Sequence, residues 1–271
     1  MIRKAAVAGM FYPSDRETLE ELVSSFICGS GRQADGLITG IVSPHAGYVY
    51  SGAVAGAAFA SAPDDVRNVI IVAPTHRYPV MGASVYNGEG YETPLGTAPV
   101  QKDITSRLLG AGLSFQPEAH RGEHSAEVQI PFIQVRWPDS SIVVILQGSV
   151  SADYSRQLAE IISNSARGFD NTLIIASSDL SHLHSLDIAG KKDGKIIEAF
   201  VSGNPRNMEA ALQQGGEACG RGPILTLMNY ATRMKQCRFG EIMWETSARA
   251  SGDSSSVVGY FAGYCGREAG K

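Results

Sequence analysis

No CxxC pair occurs in this chain. Its four cysteines, Cys28, Cys219, Cys237 and Cys265, are scattered through 271 residues, which predicts free thiols in a reducing cytoplasm rather than a disulfide framework. A dense Lys/Arg block is also missing. With 23 basic and 27 acidic residues the formal charge is −4, so nothing points to a nucleic-acid partner. Long apolar runs are lacking too. The opening MIRKAAVAGMFYP reaches Pro13 after a run too short for a secretory core or a membrane span, so a cytoplasmic protein with no membrane partner is expected. Despite 30 glycines there is no Gly/Ser linker, low-complexity tract or repeat, and a single domain over residues 1–271 is expected. What is present is ordinary globular material, 44% hydrophobic and 18% charged, enough for a sizeable core.

One pattern recurs: a buried strand that empties into polar residues. Leu37 to Val42 is apolar and β-branched, and Pro44 cannot continue a ladder, so His45 falls just past a strand end. Gly47 and Gly52 free the backbone of the following loop, and SGAVAGAAFASA reads as a close-packed helix. Asn68 to Ala73 repeats the pattern, ending at Pro74 with His76 just beyond. Two histidines at equivalent ends of neighbouring strands can converge on one point. Ser141 to Leu146 is a third buried strand. Asn171 to Ala176 is a fourth, and it opens into SSDLSHLH, which carries Asp179, His182 and His184. An Asp three residues before a His can orient the imidazole and raise its basicity; the plainer alternative is a helix N-cap Asp and a surface His. Strands alternating with helices build sites at strand carboxyl ends. The expected fold is therefore α/β, a single domain with a central, mostly parallel or mixed sheet flanked by helices.

The remaining segments are mainly structural. Ser14 with Glu17 three residues on reads as a capping box, followed by a helix with Leu19, Leu22, Val23 and Phe26 on one face. Ala83 to Tyr86 reads as a strand, NGEGYETPLG has hairpin chemistry, and Asp103 to Leu109 is a short helix. Ser125 to Trp137 has helical spacing, with Pro131 bending it or marking its first turn. Glu123 and His124 stand at its entrance, where His124 either caps the helix or faces a site; His120 reads as a solvated loop residue. Asp187 to Val201 is helical, and Asn204-Pro205 caps another helix running to Gln214. Cys219 lies between glycines just ahead of a helix beginning near Pro223. A helix N-terminus with Arg221 alongside lowers a thiol's pKa; the alternative is a small buried residue. CRFGEIMWETSAR and SSVVGYFAGYCG alternate and read as antiparallel edge strands.

Together these stretches resemble the Memo family, called AmmeMemoRadiSam system protein B in prokaryotes. The resemblance runs nearly end to end through AGMFYP, PHAGYVYSG, the strand ending in THR, EHSAEVQIPF, SSDLSHLH, ACGRGPI and TSARASGDSSSVVGYFAG. It implies a fold like that of class III extradiol dioxygenases, which hold non-haem iron with two His and one Glu. Carried onto this chain, it makes His45, His76 and Cys219 the metal ligands, with Cys219 where the dioxygenases have a carboxylate. It makes His182 the acid/base, with Asp179 near it. Tyr48 and Tyr50 would suit a pocket wall, with His124 and Arg221 as further substrate-binding residues. Two imidazoles and a thiolate form a soft set suited to a divalent or redox metal, iron first, with copper or zinc as alternatives. Three protein ligands leave open positions, as catalytic sites do. The expected function is thus a metal-dependent, dioxygenase-like oxidoreductase acting on a small molecule or peptide. The alternative is a non-enzymatic metal- or peptide-binding adaptor using the same pocket. The prokaryotic family name further implies a functional link to radical-SAM and AMMECR1-like proteins.

Overall fold

The computed structural model describes residues 1–30, 37–148, 151–234 and 236–267. In chain order its strands are β1 (Ile2–Arg3), β2 (Leu37–Ser43), β3 (Asn68–Pro74), β4 (Ala83–Val85), β5 (Gly90–Thr93), β6 (Gly96–Pro99), β7 (Ser141–Gln147), β8 (Thr172–Ser177), β9 (Asp179–His184), β10 (Cys237–Thr246) and β11 (Val257–Arg267). Its helices are α1 (Arg16–Ser30), α2 (Tyr48–Ser61), α3 (Lys102–Gly110), α4 (Pro117–Arg121), α5 (Ile130–Arg136), α6 (Ala152–Ser165), α7 (Leu186–Val201), α8 (Pro205–Gln213), α9 (Arg221–Ala231) and α10 (Ala248–Ser251).

The main sheet runs β10-β11-β2-β8-β3-β7-β4, and β9 also pairs with β11. Its centre, β2-β8-β3-β7, is parallel, and β10, β11 and β4 add antiparallel edges. Central strands buried on both faces explain the unbroken Val/Ile/Leu runs. Alternate residues serve two cores. Val69, Ile71 and Ala73 face the layer containing α2 and α5, where the Phe59 and Phe132 rings stack at 5.0 Å. Ile70 and Val72 face the layer of α6, α7 and α9. The small residues of α2 let it approach α1 backbone to backbone: a Cβ on Gly56 would lie 2.5 Å from the Phe26 carbonyl oxygen. A second sheet, β1-β5-β6, is built around the β5–β6 hairpin. Among the described residues no helix is long and apolar enough to cross a membrane.

Several local expectations are corrected. Asp15, not Ser14, caps α1: its carboxylate accepts the Thr18 N–H at 2.9 Å, one residue later than the capping-box spacing suggested. His120 is buried on α4, not solvated, held by Ser84 Oγ at 2.9 Å and Tyr91 Oη at 2.8 Å. The strands preceding His45 and His76 are not neighbours, because β8 lies between them. SSDLSHLH forms no helix cap. Asp179 opens strand β9, opposite Tyr260 of β11.

Candidate metal centre

The parallel strands end on one rim. Ser43 and Ser177 are register partners at the ends of β2 and β8. Pro44 then stops β2 and sends His45 over that rim. Past Pro74, at the end of β3, the chain carries His76. Cys219 comes from the turn before α9 and is bound to the start of β9 by reciprocal contacts: its N–H donates to the Asp179 carbonyl at 3.2 Å, and the Asp179 N–H donates to its Sγ at 3.2 Å. The turn has no room for a side chain at the next residue, since a Cβ on Gly220 would lie 2.3 Å from the Ser177 carbonyl oxygen. One ligand atom from each of His45, His76 and Cys219 lies within 4.8 Å of the others, so the three could hold a metal ion.

Hydrogen bonding fixes the imidazoles. Ser177 Oγ donates its one proton to the Ser125 carbonyl at 2.7 Å, so His45 Nδ1, 2.9 Å away, must be the donor to it. His45 Nε2 is thereby left unprotonated, 3.1 Å from Cys219 Sγ. His76 Nδ1 lies 3.0 Å from Glu123 Oε1. Donating a ring N–H to a fixed acceptor is how ligating histidines are oriented.

Electrostatics set the resting state. Burial, with His76 and His124 adding to it, holds His45 well below the ordinary histidine range, so it is neutral. Burial, helped by the Asp179 charge, pushes the Cys219 thiol up. The low thiol pKa expected from the helix N-terminus therefore does not develop, because desolvation outweighs the α9 dipole in this half-buried turn. Burial also raises Asp179 to about 6, against the opposing hydrogen bond from the His45 N–H. For Glu123, burial works upward, yet the hydrogen bonds from His76 and Ser125 win and hold it well below the carboxylate range.

The structure distributes the other expected site residues unevenly. Asp179 is buried, and its Oδ1 accepts the His45 backbone N–H at 2.7 Å. It makes no described hydrogen bond to His182, whose Nδ1 instead meets the Leu180 carbonyl at 2.9 Å. His182 is exposed on β9. His124 does face the cluster: its ring stacks on His76 at 4.8 Å and stands edge-on to His45 at 5.6 Å. Arg221 and Cys219 line a cavity of about 290 Å³ together with Thr75 and Gln147. Tyr50 is exposed on the first turn of α2. Tyr48 is no pocket wall. It is 3% exposed, packs on Phe132 at 5.0 Å and donates its hydroxyl to the Val128 carbonyl at 2.6 Å, because its helical position turns it inward.

Ser177 and Glu123 carry the supporting hydrogen bonds, and sequence reasoning assigned neither a role. The available signals were a serine closing a buried strand and an acid directly before a histidine.

A family model described as Memo-like protein matches residues 3–264. A MEMO1 family protein from Thermotoga petrophila is 36% identical over 279 residues, covering 97% of this chain and 99% of the relative. One from Methanobrevibacter smithii is 34% identical over 280 residues, with the same coverage. Among solved structures, an uncharacterized protein, JW3007, from Escherichia coli K12 matches with a TM-score of 0.52 at 12% identity, covering 97% of this chain and 98% of that one. At that identity the likeness speaks for the fold alone.

Proposed function

Because this chain belongs to the Memo-like family, we propose that it binds a redox metal through His45 Nε2, His76 Nε2 and Cys219 Sγ and acts as a non-haem iron- or copper-dependent oxidoreductase. The observation that carries this reading is the convergence of one ligand atom from each of His45, His76 and Cys219 within 4.8 Å, with the two Nδ1 atoms facing Ser177 and Glu123 rather than the thiol. The donor set fits. Two imidazoles and a sulfur suit copper, zinc or thiolate-bound iron better than an oxygen-seeking ion, and three ligands leave a position open. Iron or copper bound there would supply one-electron chemistry.

The chain's own groups supply the rest. His182, with Nδ1 committed to Leu180, offers Nε2 to accept or return a proton at the rim. Asp179, its pKa raised by burial, holds the His45 backbone through Oδ1 and so keeps the two ligand loops in place. A small molecule bound between Thr75 and Arg221 would lie beside Cys219.

Metal analysis of anaerobically purified protein tests the reading. One iron or copper per chain, lost in Cys219→Ser together with its thiolate charge-transfer band, is expected. No stoichiometric uptake after reconstitution with Fe(II), Cu(I) or Zn(II) would refute it. Uptake without any redox response would leave a metal-gripping binding protein instead.

A further inference from the structure

We infer that Glu123 is a positioning residue that fixes which nitrogen His76 presents and how its ring is aimed. Its carboxylate is buried, at 2% exposure, and every hydrogen bond described for it comes from an N–H group. Oε2 accepts the His76 backbone N–H at 2.6 Å. Oε1 accepts the His76 ring at Nδ1 and the backbone N–H groups of His124 and Ser125, all at 3.0 Å. The three backbone groups can only donate. The carboxylate is therefore an acceptor throughout, and Nδ1 must carry the proton.

The same carboxylate thus grips His76 at two points, main chain and ring, which removes the freedom of both. It imposes the Nδ1–H tautomer, the reverse of the form free histidine favours in water. A ligand atom from each of His76, Glu123 and His124 also lies within 4.8 Å of the others. Within that group the geometry gives Glu123 the orienting role: Oε1 takes three N–H donors and stands 3.3 Å from His124 Nδ1, and Oε2 takes the His76 backbone N–H. Its backbone carbonyl is committed as well, accepting from Arg3 Nη2 at 2.6 Å. The charge stands one hydrogen bond behind His76, where acceptors raise ligand basicity and are worth 10–100-fold in metal affinity.

The inference rests on His76 as a ligand, yet its central claim can be read without metal. Two-bond proton–nitrogen correlation spectra of metal-free, ¹⁵N-histidine-labelled protein report each tautomer. His76 is expected wholly in the Nδ1–H form in the wild type and in a mixture in Glu123→Gln. The variant's Zn(II) affinity, measured by chelator competition, should fall about 10–100-fold. An Nε2–H His76 in the wild type overturns the inference even if Glu123→Gln does not fold. So does a folded Glu123→Gln with unchanged tautomer and affinity within about threefold. A wild type that takes up no zinc refutes the metal reading, while the tautomer spectrum still judges this one.

Discussion

His45 Nε2 stands 3.1 Å from Cys219 Sγ, a residue 174 positions further along the chain. The two are joined through Asp179, whose side chain accepts from the His45 backbone and whose main chain pairs with Cys219. Asp179 thus ties the two ligand loops together as part of the scaffold.

If the three ligands bind an ion, metal adds stability through linkage. At a free concentration one hundred times Kd the gain is about 2.7 kcal/mol. Urea titrations of the wild type with and without metal should show this gap, and Cys219→Ser should abolish it while moving the metal-free midpoint little.

Gly220→Ala should cost about 1–3 kcal/mol. The added methyl would lie 2.3 Å from the Ser177 carbonyl oxygen and 2.6 Å from Ser178 Cβ. The turn would have to shift, carrying Cys219 with it, so reduced metal uptake should accompany the lower denaturation midpoint.

Glu127 is fully buried, pairs with Arg3 and accepts the N–H groups of Ala6 and Val7 and the Tyr12 hydroxyl. It ties down the segment that brings Phe11 against His124 at 4.8 Å. Glu127→Gln leaves Arg3 without its counter-charge and should cost about 3–5 kcal/mol in chemical denaturation.

Tyr48→Phe separates core from pocket. The Val128 carbonyl loses its hydroxyl donor, which should cost about 1 kcal/mol of stability. Metal affinity should stay within about twofold of wild type, since the ring packs among Tyr12, Phe26 and Phe132.

Burial pushes His120 down to about 3, with Arg3 adding to it. Its folded pKa lies below the free value near 6.5, so the native state binds fewer protons than the unfolded chain between those limits. The stability it confers is complete above pH 6.5 and drains away as pH falls toward 3. His120→Gln should reduce the slope of unfolding free energy against pH in that window by up to about 1.4 kcal/mol per unit. Denaturation at a series of pH values checks it.

Much of the rim was legible because its signals are local. A β-branched run closed by proline is a strand end whatever surrounds it, so β2 and β3 and the positions of His45 and His76 could be read directly. Cys219 was different. Its place ahead of a helix marked it as a candidate thiolate, but only the resemblance of ACGRGPI made it a metal ligand. Tyr48 was misplaced because helix register relative to the core depends on what α2 packs against. The role of Glu123 was hidden because it consists of who donates to it, and His76 lies 47 residues away.

The sequence alone determined the four central strands β2, β3, β7 and β8, the prolines that halt β2 and β3, and the placement of His45 and His76 just past those ends, since these follow from backbone sterics and local hydropathy. Tertiary structure decided what those groups are for. Placing β8 between β2 and β3 brings Ser177 under His45, and folding the 123–125 turn against His76 spends the Glu123 carboxylate, so the ligand nitrogens are set by long-range hydrogen bonds. Burial then decided that the metal-free thiol stays protonated despite its helix N-terminus, because desolvation is a property of the packed molecule and not of any stretch of chain.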